Sequence, residues 1–311
     1  MVTMIEAAPD PRHPDHVGAA SFLPKGSTVS RFSTRSFTVL VAAASIIALS
    51  ACSSATPDTD AGSDTGLETL TSGKLTIATG EPAYFPWVID DAPESGEGFE
   101  AAVAYAVADE LGYAKDDVVW TRTTFEGAIA PGPKDFDLNL QQFSITDDRR
   151  QAVDFSTPYY ETTQAVVTVE GSPAADASSL ADLRDLVVGA QTGTTSFQAA
   201  EAHIQPTSGV QAFTSNDDAK LALQNGQIDA LVVDLPTAFY LTSADLEGGV
   251  LVGQLPRAEG EAGDEFGIVL PLGSSLTADV SAAVDSLRAD GTLDELATTW
   301  LASDDTAPVL G

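Results

Sequence analysis

The sequence predicts an α/β fold with largely parallel sheets, and three observations carry that prediction. From Lys74 onward, short apolar or β-branched runs alternate with Ala-rich stretches of helical spacing, the order expected of strands linked by helices. The runs "LVVGAQ" and "ALVVDL" are apolar without a break, as strands covered on both faces are. The 311 residues are 43% hydrophobic, a globular composition and enough chain for one large or two modest domains.

The elements follow in order. "KLTIAT", from Lys74, is a first strand. "GFEAAVAYAVADELGY" is a helix with Phe99, Val103, Val107 and Leu111 on one face, closed by Gly112. "DVVWTRT" is a second strand, and "FDLNLQQF" alternates as a third around Phe136, Leu138 and Leu140. "LVVGAQ" and "ALVVDL" supply two more. "SLADLRD", "NDDAKLALQNGQ" and "LTADVSAAVDSLRADGTLDELATTWL" have helical periodicity. No internal repeat interrupts this region.

The first fifty residues are of another kind. Lys25, Arg31 and Arg35 precede the apolar run "FTVLVAAASIIAL", shorter than the roughly twenty residues a membrane span needs. "LSAC" follows, ending at Cys52. It resembles the lipobox of bacterial lipoproteins, which implies cleavage before Cys52 and lipidation of its thiol. The expectation is a signal segment over 1–51 and a flexible, polar, acidic tether over 52–72. The Pro-rich, acidic start is unlike a signal, which points to a true start near Val29.

Composition excludes several functions. The net charge of −32, from 14 basic and 46 acidic residues, repels a phosphate backbone, so no nucleic acid partner is expected. Cys52 is the sole cysteine, and only His203 of three histidines follows it. A cysteine or histidine metal cluster is therefore not expected, and neither is a serine–histidine triad. G-x-S-x-G and P-loop patterns are absent. No cofactor is expected.

In so acidic a chain, the adjacent Arg149 and Arg150 just past an apparent strand end raise the question of an anion. The surrounding residues answer it through a family. "EPAYFPW", "GFEAAVAYAVADELG", "FEGAI", "SITDDRRQAVDFSTPYY", "LRDLVVGAQTGTTS", "NGQIDALVVDLPTA", "FGIVLPLGSSL" and "LRADGTLDELATTWL" occur in that order. From Lys74 to Leu301 the chain resembles the extracytoplasmic solute-binding proteins, family 3, the polar amino-acid receptors of bacterial ABC importers. The resemblance implies a two-lobed periplasmic-binding-protein-like (type II) clamp with two hinge crossovers. Lobe I is expected at 73–161 plus 267–311 and lobe II at 162–266, with hinges near Glu161–Thr163 and Asp264–Gly267.

It also implies a site. An amino acid presents a carboxylate and an ammonium on one carbon, so a cation and an anion must be placed in advance. The resemblance assigns the carboxylate to Arg149, whose guanidinium suits a bidentate grip, and leaves Arg150 at the surface. It assigns the ammonium to Asp234, at a strand's carboxyl end; a strand-end Asp is as often a cap for the following helix. In "TGTTS", Gly193 permits a tight turn, and Thr194 and Thr195 with nearby amides form an anion cradle or an ordinary helix cap. Ser144 is a further family position, and Tyr84 and Phe125 match its apolar walls. Where relatives often carry small Ser or Gly, this chain has Gln141 and Gln142, of which alternation points only one inward.

Relatives that take basic or amide amino acids commonly have an acid where Glu81 stands, at the first strand's end. With the polar Gln141 and Gln142, the resemblance therefore implies arginine, lysine, histidine or glutamine over leucine or valine, with glutamate repelled; Glu81 is otherwise a solvated loop acid. The function expected is a monomeric, lipid-anchored receptor on the outer face of the cytoplasmic membrane that feeds an ABC permease. The alternative is a carboxylate-dependent, dehydratase-like enzyme on the same scaffold. A one-chain sensor is not expected, since no second apolar span follows Leu301.

Overall fold

The computed structural model describes residues 65–257, 262–301 and 307–311. The signal segment, Cys52 and the tether before Thr65 lie outside the described residues. The first lobe is built from β1 (Leu75–Gly80), α1 (Phe99–Glu110), β2 (Val118–Thr123), α2 (Phe125–Ile129), β3 (Leu138–Asn139) and β4 (Val153–Thr162). The second follows with β5 (Gln164–Val169), α3 (Leu180–Leu183), β6 (Val188–Gln191), α4 (Thr195–Ala199), β7 (Gln211–Phe213), α5 (Asn216–Gln224), β8 (Ala230–Asp234), α6 (Leu235–Tyr240) and β9 (Gly249–Gln254). The chain then returns through β10 (Asp264–Pro271), α7 (Thr277–Ala289) and α8 (Thr292–Trp300).

Two five-stranded sheets result, in the orders β2-β1-β3-β10-β4 and β7-β6-β8-β5-β9. The expectation of largely parallel sheets is half met. β1 pairs in parallel with β2 and β3, and β6 with β7 and β8. β10 is antiparallel to β3 and β4, and β5 to β8 and β9. The reversed strand in each sheet is the one that has just crossed from the other lobe. It enters at the carboxyl ends of the parallel strands, and no crossover helix turns it round.

The apolar patterns explain the layers. In β8, Leu231 and Val233 join one buried cluster with Leu223 of α5, while Ala230 and Val232 join another with Val188 and Ile204. A strand packed on both faces reads as an unbroken apolar run. In lobe I, Ile77, Leu138 and Ile268 meet Phe99 and Val103 of α1 and Val280 and Val284 of α7. Each such side chain contributes about 1.5–3 kcal/mol on burial.

Several boundaries differ from expectation. The last long helical stretch is two helices, broken at Gly291, whose φ of 90° L-residues avoid. "FDLNLQQF" ladders only at Leu138–Asn139. Asp264–Phe266, expected in lobe II, pair with Tyr160–Thr162 in the first sheet. The final residues, expected in lobe I, pack on lobe II: Leu310 N donates to Gln254 O at 2.9 Å, and Leu310 joins its core. Part of the expected tether is also held. Leu67 packs on the lobe I core, Thr65 Oγ1 donates to Tyr113 Oη, and Leu70 N donates to the buried carboxylate of Asp137. Leucines and a buried acceptor, set in polar sequence, give those residues partners that composition does not reveal. No described helix is long and apolar enough to cross a membrane.

Candidate functional site

The carboxyl ends of β1, β3, β6 and β8 face one another across the cleft, where open α/β sheets place ligand groups. A cavity of about 280 Å³ lies between them. All nine residues expected to bind ligand line it: Glu81, Tyr84, Phe125, Gln142, Ser144, Arg149, Thr194, Thr195 and Asp234. Arg149 is buried at 9% exposure, whereas Arg150 is exposed. The two share one short turn, and only the first points inward.

Arg149 Nη1 donates to Ser144 O at 2.7 Å and Nη2 to Gly193 O at 2.9 Å, so the guanidinium touches both lobes. It also lies over the Phe125 ring, 5.2 Å from its centre, a cation–π contact. Phe125 in turn stacks on Phe143 at 4.9 Å. Burial pushes the guanidinium down to about 10 against the pull of Asp264, which leaves it charged at neutral pH. No carboxylate forms an ion pair with it among the described residues.

Asp234 is both ligand candidate and cap. Its Oδ1 accepts from Thr237 N at 3.2 Å at the start of α6 while the residue lines the cavity. Burial raises its carboxyl to about 6, with Thr237 opposing and Asp264 adding repulsion. Thr194 is committed locally: Oγ1 accepts from Phe197 N and donates to Gln191 O, which is the ordinary cap. Thr195 lines the cleft, and its hydroxyl shares a hydrogen bond of 3.0 Å with Ser144 across the lobes. Gly193, with φ of 73°, makes the turn that aims its carbonyl at Arg149.

The lobes meet elsewhere too. Trp87 Nε1 donates to Thr237 Oγ1 at 3.2 Å, Tyr84 Oη to Asp217 Oδ2 at 3.3 Å, and the Phe85 and Tyr240 rings lie 4.6 Å apart. Burial and Asp217 hold the Tyr84 hydroxyl well above the usual tyrosine range. Glu81 is exposed at the cavity's rim. The expectation that only one of Gln141 and Gln142 turns inward fails, since both line the cavity. Gln142 has φ of 50°, and a left-handed residue breaks the strand's two-residue alternation.

Residues 75–303 match the bacterial extracellular solute-binding proteins, family 3. The chain belongs to this family. Among curated relatives, the L-arginine-binding protein of Pseudomonas aeruginosa is 33% identical over 219 residues, 68% of this chain and 82% of that protein. A probable histidine-binding protein of Campylobacter jejuni is 29% identical, covering 64% and 74%. A solved structure of an ancestral arginine-binding protein bound to arginine superposes with TM-score 0.60 at 30% identity, covering 74% of this chain and 99% of that one. The family member thus has the two-lobed type II fold, and its relatives carry names of amino-acid-binding proteins.

Further residues that the sequence did not single out line this family member's cleft or stand behind it. Trp87, Gln164 and Gln191 line the cavity. Trp87 stands in "EPAYFPW", where nothing local separates a cleft aromatic from a core one. Gln164 follows the first hinge, and nothing local marks it. Glu100 lies behind Gln142, 1% exposed; an acid in a helix's first turn looks like an ordinary dipole partner. No group of three or more His, Cys, Asp or Glu that could hold a metal occurs among the described residues.

Proposed function

We propose that this solute-binding protein takes a free amino acid with a cationic or amide side chain between its lobes and presents it to the permease of an ABC importer. One observation carries the reading. A buried cation, Arg149, and an anion, Asp234, are supplied to one cavity, and neither is ion-paired to the protein among the described residues. A zwitterion supplies both missing charges, and uncompensated buried charge is costly. Arg149 takes the carboxylate together with Thr195 and Ser144. Asp234 takes the ammonium. Tyr84 and Phe125 wall the stem, and Glu81, Gln141 and Gln142 meet the side chain. The names of the arginine- and histidine-binding relatives support the same side-chain class.

Ligand closes the hinge, and the permease reads the closed form. The mature protein is a monomer on the outer face of the cytoplasmic membrane, held by lipid on Cys52. The test is a thermal-shift screen of the mature protein against the amino acids, followed by calorimetry. A ligand at 100 times its dissociation constant stabilises by about 2.7 kcal/mol. Arginine, lysine, histidine or glutamine should shift the transition more than leucine, valine or glutamate. A relative of known structure is an ancestral amino acid-binding protein that is a precursor of cyclohexadienyl dehydratase, so mass spectrometry of the bound ligand belongs in the test. Unaltered ligand supports a receptor, and turnover supports the enzyme.

A further inference from the structure

Gln142 sits in an unusual setting. Its φ of 50° is a conformation that a residue with a Cβ disfavours, and here it is held open to the cavity by a buried acid on another element. Glu100, near the start of α1, is 1% exposed. Its Oε1 accepts from Gln142 N at 2.7 Å and from the Tyr159 hydroxyl, and its Oε2 accepts from Gln142 Nε2. One carboxylate thus pins both the backbone and the side chain of a cavity residue.

The donors and acceptors leave one orientation. Burial raises the Glu100 carboxyl to about 7; once ionised it only accepts, so above that pH it takes the NH₂ end of the Gln142 carboxamide. The oxygen is then the end that Gln142 can offer to the cavity. Two more carboxamide oxygens of lining residues, Gln141 Oε1 and Gln164 Oε1, are buried without a hydrogen-bond partner among the described residues.

We propose that Glu100 is a positioning residue that sets side-chain selectivity: by fixing the Gln142 carboxamide with its oxygen toward the cleft, it selects a side chain that only donates hydrogen bonds, a guanidinium, over one that must also be met by a donor, a carboxamide. This rests on the amino-acid reading above and narrows it to the cationic ligands.

Glu100→Gln tests the orientation directly. The Gln142 backbone N–H can only donate, so the new residue must turn its oxygen to that N–H. Its NH₂ then faces the Gln142 side chain, which must flip and present its own NH₂ to the cleft. Selectivity should shift toward glutamine, not merely fade through weaker binding of both ligands. Calorimetry of the mature protein with L-arginine and L-glutamine reads the ratio of their affinities. The wild type should prefer arginine, and the ratio should fall about tenfold or more in Glu100→Gln, with glutamine gaining. Gln142→Gly tolerates the left-handed backbone and keeps the test open should the first variant fail to fold. It should lower the ratio without a gain for glutamine. Equal weakening of both ligands with an unchanged ratio would assign Glu100 a structural role only and overturn the inference. A wild type that prefers glutamine would overturn it while leaving the receptor reading intact, and a wild type that binds no amino acid would remove both.

Discussion

Arg149 and Arg150 form a built-in control, because they are adjacent, alike in chemistry and opposite in burial. Arg149→Ala removes a guanidinium that reaches both Ser144 O and Gly193 O in the closed cleft. Bonds to a charged group contribute about 1.5–3 kcal/mol each. A bidentate grip on a ligand carboxylate therefore carries about 3–5 kcal/mol, or roughly two to four decades of affinity. Arg150 is exposed, and surface charges of this kind contribute about 0–1 kcal/mol. Calorimetry with arginine on the mature protein and both variants measures the difference, with circular dichroism to establish that each is folded. Arg149→Ala should bind no ligand in the micromolar range, and Arg150→Ala should bind within about threefold of wild type. Comparable losses in the two variants, or micromolar binding by Arg149→Ala, would refute the assignment. Because Arg149 also bonds Gly193 across the cleft, the ligand-free variant should sample open forms more often, which small-angle scattering can detect.

Three further outcomes are expected. Burial holds the Asp234 carboxyl at about 6, above the ordinary 3.8, so affinity for an ammonium should rise with pH up to about 6 and level off above it. The ligand-free protein should follow the opposite sign. Its unfolded chain ionises near 3.8 while the folded one stays protonated to about 6, so this group's contribution to stability is lost as pH rises through that window. Asp234→Asn should flatten both profiles, and unchanged profiles would show that another group titrates. Cys52→Ser should leave an unprocessed precursor without lipid, since firm anchoring takes more than one acyl chain; labelling of that variant by a fatty-acid probe would contradict the lipobox. Glu81→Gln should weaken arginine more than glutamine by calorimetry, and an unchanged ranking would take Glu81 out of the site.

The primary structure alone determined the alternation of strands and helices, and through the family resemblance it named nine residues that line the cleft. Helical spacing at Phe99, Val103 and Val107, the unbroken run ending at Asp234 and the turn glycine before Thr194 are local signals. Each follows from short-range sterics or from burial on one or two faces. The site residues were named through the family motifs that carry them, and local signals marked only some: Asp234 ends an apolar run and Glu81 follows the first strand. The tertiary structure decided whatever depends on a partner distant in the chain. It sent β5 and β10 into their sheets reversed, because each enters from the opposite lobe. It placed Leu310 in lobe II, where a core is waiting. It turned Gln142 left-handed beside a carboxylate forty-two positions earlier. An acid in the first turn of a helix reads as solvated in one dimension. Only packing removes the water from Glu100 and leaves its carboxylate the task of orienting the cleft.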